Sequence, residues 1–143
     1  MPLVNSTGFA HVRLTVTDIE RSKAFYDQVF GWPAAIDASA QVDQPGVRTS
    51  PESFYGGVVY QTPQGTLFGL RPVGTATFDS EHTGLDHVSF AVASRADLDA
   101  AEQALNGAGI AHGEVNELAD AGIAILSFQD PDDINVELTA PLG

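Results

Sequence analysis

The sequence carries one stretch twice. Gly8-Phe9-Ala10-His11-Val12-Arg13-Leu14-Thr15-Val16 is answered by Gly84-Leu85-Asp86-His87-Val88-Ser89-Phe90-Ala91-Val92, and the second histidine stands 76 residues after the first. The same interval carries Gly31, at the end of one expected helix, onto Gly107 at the end of another, so the match spans a strand and a helix. A repeat this long within 143 residues confines the chain to two similar halves. Nothing in the length asks for two independent cores, so the expectation is one domain made of two modules, about 8–72 and 84–141.

Each half reads as a strand, a helix and further strands. From Phe9 to Val16 the even positions are apolar, and three of the four odd ones are His11, Arg13 and Thr15, which is the period of a strand with one face in a core. Asp18 is placed to cap a helix whose apolar stripe is Phe25, Tyr26, Val29 and Phe30, and Gly31-Trp32-Pro33 stops it. Residues 34–56 carry no readable period. Gly57–Gln61 and Thr66–Arg71 read as two strands joined across Thr62-Pro63-Gln64-Gly65, and the polar stretch 72–83 reads as a linker. In the second half Leu85–Val92 is the strand and Ser94-Arg95-Ala96-Asp97 resembles a capping box with Asp for Glu. Leu98, Ala101 and Leu105 form the helical stripe, and Ile123–Phe128 and Ile134–Thr139 are strands on either side of Asp130-Pro131-Asp132-Asp133.

Composition removes several classes of function. Nineteen acidic residues against six basic ones give a formal charge of −13, which repels nucleic-acid phosphates. No apolar run approaches the ~20 residues needed to span a bilayer, and Met1-Pro2-Leu3-Val4-Asn5-Ser6-Thr7 lacks a basic region followed by an apolar run, so no signal peptide is expected. With zero cysteines, any metal must sit on imidazole, carboxylate, carbonyl or water, and a reducing cytoplasmic setting is the expectation.

The alternation also sorts side chains by face. If Val12 and Leu14 face the helix, His11 and Arg13 face the other way; by the same parity His87 and Ser89 oppose Val88 and Phe90, and Glu137 opposes Val136 and Leu138. Should the two sheets curve around a common cavity, His11, His87 and Glu137 project into it. Two imidazoles and a carboxylate suit one divalent ion: Fe, Mn, Ni, Co or Zn. Each histidine alone is as readily a polar residue lining a crevice, whereas a carboxylate between Val136 and Leu138 needs a partner if it is buried.

The segment from His11 to Ser22 with Phe25-Tyr26 and Phe30-Gly31, the segment Asp86–Val92, and Asp130-Pro131-Asp132 leading to Val136-Glu137-Leu138 together resemble the vicinal oxygen chelate superfamily. That superfamily holds glyoxalase I, extradiol dioxygenases, methylmalonyl-CoA epimerase, fosfomycin-modifying enzymes and bleomycin-binding resistance proteins. The resemblance implies an α+β fold in which two βαβββ modules form a curved mixed sheet, a half-barrel around a central cavity with helices outside. It implies metal ligands from the first and fourth strand of each module: His11, the position of Gly69, His87 and Glu137. Gly69 departs from that pattern and leaves two histidines and one glutamate, as in extradiol dioxygenases and fosfomycin-modifying enzymes. A homodimer is implied as well.

Further candidates for substrate contact are Arg13, Tyr60, Gly69, Arg71 and Ser89. The two arginines share the inward face and either neutralise an anionic substrate or pair with the many carboxylates. Trp32, Phe54, Tyr55 and Tyr60 either stack on an organic ligand or pack in the core, and Gly69 is either a bend or space for a ligand. The resulting expectation is a metal-dependent enzyme chelating a small oxygenated molecule, by lyase, isomerase or dioxygenase chemistry. The alternative is a non-catalytic protein that sequesters an antibiotic, as bleomycin-binding relatives do.

Overall fold

The computed structural model describes residues 2–143 and divides into two compact units, the first closing at Ala76 and the second running Thr77–Gly143. The division falls inside the polar stretch 72–83.

In the first unit, β1 (His11–Thr15) leads into α1 (Ile19–Val29), followed by β2 (Ala34–Asp37), β3 (Val58–Gln61) and β4 (Leu67–Arg71). The sheet order is β1-β4-β3-β2, with β1 parallel to β4 and the other pairs antiparallel. The second unit repeats this: β5 (Val88–Ala91), α2 (Arg95–Gly107), β6 (Asn116–Leu118), β7 (Ile123–Gln129) and β8 (Asn135–Pro141), in the order β5-β8-β7-β6. β5 and β8 are parallel, and the other pairs are again antiparallel. Two α+β modules of βαβββ pattern, each a four-stranded mixed sheet with one long helix, are the expected fold class.

The two caps keep the interval of the repeat. Asp18 accepts the Arg21 backbone N–H at 3.2 Å and Ser94 accepts that of Asp97, also at 3.2 Å. The Asp97 carboxylate takes the Ser94 hydroxyl at 3.0 Å, so the reciprocal half of the capping box goes to a side chain rather than to the cap's backbone N–H. The interval then fails at the C-terminal ends. Gly31 follows α1 with a left-handed φ of 62°, but its counterpart is Gly109 at 72°, because α2 runs two residues longer and keeps Gly107 helical.

The first core packs Ile19 and Tyr26 of α1 against Val58, Tyr60, Phe68 and Leu70, and the Tyr26 and Phe68 rings meet edge to face at 5.0 Å. The second packs Leu98 and Leu105 of α2 with Leu126, Phe128, Val136 and Leu138. Each such side chain contributes about 1.5–3 kcal/mol by leaving water. Between β7 and β8 the Asp130 carboxylate, buried, accepts the backbone N–H groups of Asp132 at 2.8 Å and Ile134 at 3.0 Å. The sequence Asp-Pro-Asp-Asp is thus a turn whose first side chain satisfies the backbone that the turn leaves bare.

Residues 39–56, which have no readable period, form three short 3₁₀ turns, Ser39–Gln41, Val47–Thr49 and Pro51–Gly56. Arg48 anchors them by donating to Pro72 O at 2.6 Å and to Asp43 at 3.2 Å. The last turn ends with Phe54 and Tyr55 at φ of 48° and 57°. Such left-handed values strain residues with a Cβ and persist only where packing enforces them. Gly57 then passes so close to β4 that a Cβ there would lie 1.9 Å from Leu70 O, so only glycine fits.

Candidate functional site

The registers set the faces of the paired strand residues in each module. Pairing sets His11 beside Leu67, Arg13 beside Gly69 and Thr15 beside Arg71 on one face of the first sheet, while Val12, Leu14, Phe68 and Leu70 lie on the helix side. In the second module Ser89 is beside Glu137 and Ala91 beside Thr139, with Val88 and Phe90 on the helix side. Gly69 and Glu137 therefore occupy the same place in the two modules, opposite Arg13 and Ser89.

The second module brings His87 and Glu137 together. His87 Nδ1 lies 2.6 Å from Asp86 Oδ2, and Nε2 lies 3.7 Å from Glu137 Oε1. An ionised carboxylate only accepts, so Nδ1 carries the proton shared with Asp86, and Nε2 is the ring nitrogen that faces Glu137. Glu137 is mostly buried, with 16% of its side chain exposed against 43% for His87. Its Oε1 also accepts from Thr139 Oγ1 at 3.3 Å, and Thr139 lies 2.5 Å from Ser89 Oγ. Ser89 thus reaches the site through the hydroxyl that steadies Glu137.

These donors fit half of a metal centre. Ligands about 2.0–2.2 Å from an ion stand about 3–3.5 Å apart, close to the 3.7 Å seen here. A carboxylate on the far ring nitrogen is the usual way a ligating imidazole is held, and Asp86 supplies it. Among the described residues no group of three or more His, Cys, Asp or Glu side chains is placed to hold one ion.

In the first module His11 and Arg13, both exposed, border a cavity of about 180 Å³ with Ile36, Phe54, Val59 and Leu67. The Gly69 position is filled: a Cβ there would lie 3.3 Å from Arg13 Cγ, so the arginine stem takes the room that a side chain would need. The Arg71 guanidinium stacks 3.9 Å from the Tyr55 ring centroid, and that of Arg13 lies 5.7 Å from the same centroid.

Tyr60 is a correction to the candidates for substrate contact. It pairs with Phe68 on the helix side and is 1% exposed. Burial, and then the Asp27 carboxylate, push its phenol upward. Trp32 stacks on Phe30 at 4.3 Å and so serves packing. Asp86 and Thr139 were missed as partners of the site. Asp86 had a signal, being the residue next to His87; Thr139 had only its parity with Glu137.

A family model described as the Glyoxalase/Bleomycin resistance protein/Dioxygenase superfamily matches residues 8–138. The chain belongs to that superfamily. Three solved structures of the superfamily's fold show how widely it is shared. A glyoxylase/bleomycin resistance protein/dioxygenase domain from Frankia sp. EAN1pec is 30% identical, with 96% of this chain and 93% of the other covered and a TM-score of 0.74. Lactoylglutathione lyase from Agrobacterium tumefaciens is 17% identical, with 94% of each chain covered and a TM-score of 0.68. A fosfomycin resistance protein, FosX, from Listeria monocytogenes, complexed with Mn(II) and 1S,2S-dihydroxypropylphosphonic acid, is 14% identical, with 96% and 94% covered and a TM-score of 0.71. No curated protein matches the sequence. Within the superfamily this chain has arginine and glycine in its first module where its second has serine and glutamate.

Proposed function

We propose that this superfamily member is a metal-dependent enzyme that chelates a small oxygenated substrate through one divalent ion, for lyase, isomerase or dioxygenase chemistry. The observation that carries the reading is the Asp86–His87–Glu137 arrangement, in which an imidazole with one ring nitrogen 2.6 Å from Asp86 turns the other to a mostly buried carboxylate at 3.7 Å. His87 and Glu137 are two of the ion's ligands, and His11 is the imidazole at the repeat-equivalent position of the first module. Such an ion supplies Lewis-acid polarisation of substrate oxygens. The chain's own residues do the positioning: Asp86 sets the His87 tautomer, and Ser89 with Thr139 fixes the Glu137 carboxylate. Partners of this kind are worth about 10–100-fold in metal affinity. The cysteine-free sequence supports a cytoplasmic setting, and the superfamily resemblance supports a homodimer.

Elemental analysis of protein purified without added metal or chelator tests this, beside His87→Ala and Glu137→Ala. The expected result is about one ion per chain, lost in both variants while circular dichroism stays native. Absence of metal in the wild type, with no uptake on titration by Fe(II), Mn(II), Ni(II), Co(II) or Zn(II), sinks the reading. It would turn attention to the second reading, an antibiotic-sequestering protein, which the aromatic Phe54 and Tyr55 on the first module's site face support.

A further inference from the structure

We propose that Arg13 and Arg71, gathered on the ring of Tyr55, form an oxyanion subsite, so that the substrate is a small organic acid carrying a carboxylate or phosphonate. This names the substrate class for the function above and rests on that reading only in calling the ligand a substrate.

The case begins with charge. The chain has 19 acidic residues for six basic ones, so an arginine without an acid is unusual in it. Lys23 pairs with Asp37 at 2.6 Å, Arg48 with Asp43 at 3.2 Å and Arg95 with Asp99 at 2.7 Å. Arg13 and Arg71 make no ion pair among the described residues, although Asp and Glu outnumber them across the chain. The Arg71 Nε is buried and has no hydrogen-bond acceptor. A buried guanidinium N–H left unmatched costs free energy that a bound oxyanion restores.

Placement follows the same line. Both arginines lie on the face of the first sheet that also carries His11, as the pairings Arg13–Gly69 and Thr15–Arg71 require. Their guanidinium carbons sit 5.7 and 3.9 Å from one aromatic centroid, which draws two like charges together without neutralising either. Tyr55 reaches that position through a left-handed backbone at φ 57°, and strain of this kind is retained where a site needs it. At Gly69, the place where the second module has Glu137, the missing side chain leaves the room that the Arg13 stem uses. The first module has exchanged an anionic position for a cationic one. The adjoining cavity of about 180 Å³, lined by Phe54, Ile36, Val59 and Leu67 beside Arg13, is below the ~300 Å³ at which drug-sized pockets begin. It suits a short acid.

Calorimetric titration of chelator-treated protein with acetate, with methylphosphonate and with uncharged acetamide decides the matter. The expected result is saturable binding of at least one of the two anions, none of acetamide, and a loss of at least about tenfold in affinity in both Arg13→Gln and Arg71→Gln. Whichever anion binds more tightly identifies the acid group. Gly69→Glu retains both arginines but sets a carboxylate against Arg13, and it loses the anion as well, which keeps the test open if Arg71→Gln does not fold. His87→Ala and Glu137→Ala retain anion binding, so failure of the metal reading and failure of this one are distinguished. Absence of binding by both anions, equal binding of acetamide, or binding that survives Arg13→Gln or Gly69→Glu overturns the subsite.

Discussion

Tyr60 shows how a residue's role turns on which face it occupies. Val58, Val59 and Tyr60 are consecutive, apolar and all buried, so β3 has no alternation to read and the sequence offers no ground for choosing a side. The pairing of Tyr60 with Phe68 chooses the helix side. There its hydroxyl is buried without a hydrogen-bond partner, and the neighbouring Asp27 carboxylate raises the cost of ionising it. Removing an unsatisfied buried hydroxyl while keeping the ring is neutral or favourable. Tyr60→Phe is therefore expected to hold stability within about 0.5 kcal/mol or raise it by up to about 1 kcal/mol in urea denaturation, with acetate and metal binding unchanged. A loss beyond about 1 kcal/mol would show that the hydroxyl has a partner after all. Where alternation was clean, as in His11–Thr15, parity placed His11 and Arg13 on the site face directly from the sequence.

Elements were legible in proportion to how much apolar surface they bury. The helices and the central strands announce themselves because a half-buried element must repeat with its own period. The edge strands β2 and β6 do not: Asn116, Glu117 and Leu118 are all exposed, and Ala34–Asp37 is mostly so. The segment 39–56 is ordered by contacts rather than by propensity, and it leads straight into the passage of Gly57 under Leu70 O. Gly57 has an extended backbone open to any residue, so the cost of Gly57→Ala is steric alone: a Cβ at 1.9 Å from a carbonyl oxygen forces β3 and β4 apart. A loss of about 2–3 kcal/mol is expected, together with weaker anion binding as Tyr55 shifts from Arg71. Gly107→Ala is the control, since nothing stands within 4 Å of its added Cβ and the residue is helical. It should gain up to about 1 kcal/mol. Equal effects of the two substitutions would refute the crowding account.

At the scale of the molecule the dominant property is charge. A formal −13 on 143 residues means that folding gathers like charges, and the three aspartate pairs of Lys23, Arg48 and Arg95 offset only a small part of it. Sodium chloride screens such repulsion over about 8–10 Å at physiological strength. Raising it from about 10 to about 200 mM should lift the thermal midpoint at pH 7 by about 2–5 °C, roughly 1 kcal/mol for a chain of this size. A midpoint that stays level or falls would mean that the acids are already spaced to avoid one another. The same salt should weaken acetate binding at Arg13 and Arg71, so stability and affinity move in opposite directions.

The sequence by itself determined the duplication, the strand–helix–strand order of each half, the caps at Asp18 and Ser94, and the shared face of Ser89 and Glu137, because these follow from side-chain periodicity along a few neighbouring residues. Only the tertiary structure decided that Arg13 occupies the space at Gly69, that Tyr55 lies against Arg71, and that Glu137 stands 3.7 Å from His87. Those pairs are far apart in the chain, and their approach is set by strand register and loop path. Both come from packing between distant segments, for which no local pattern exists.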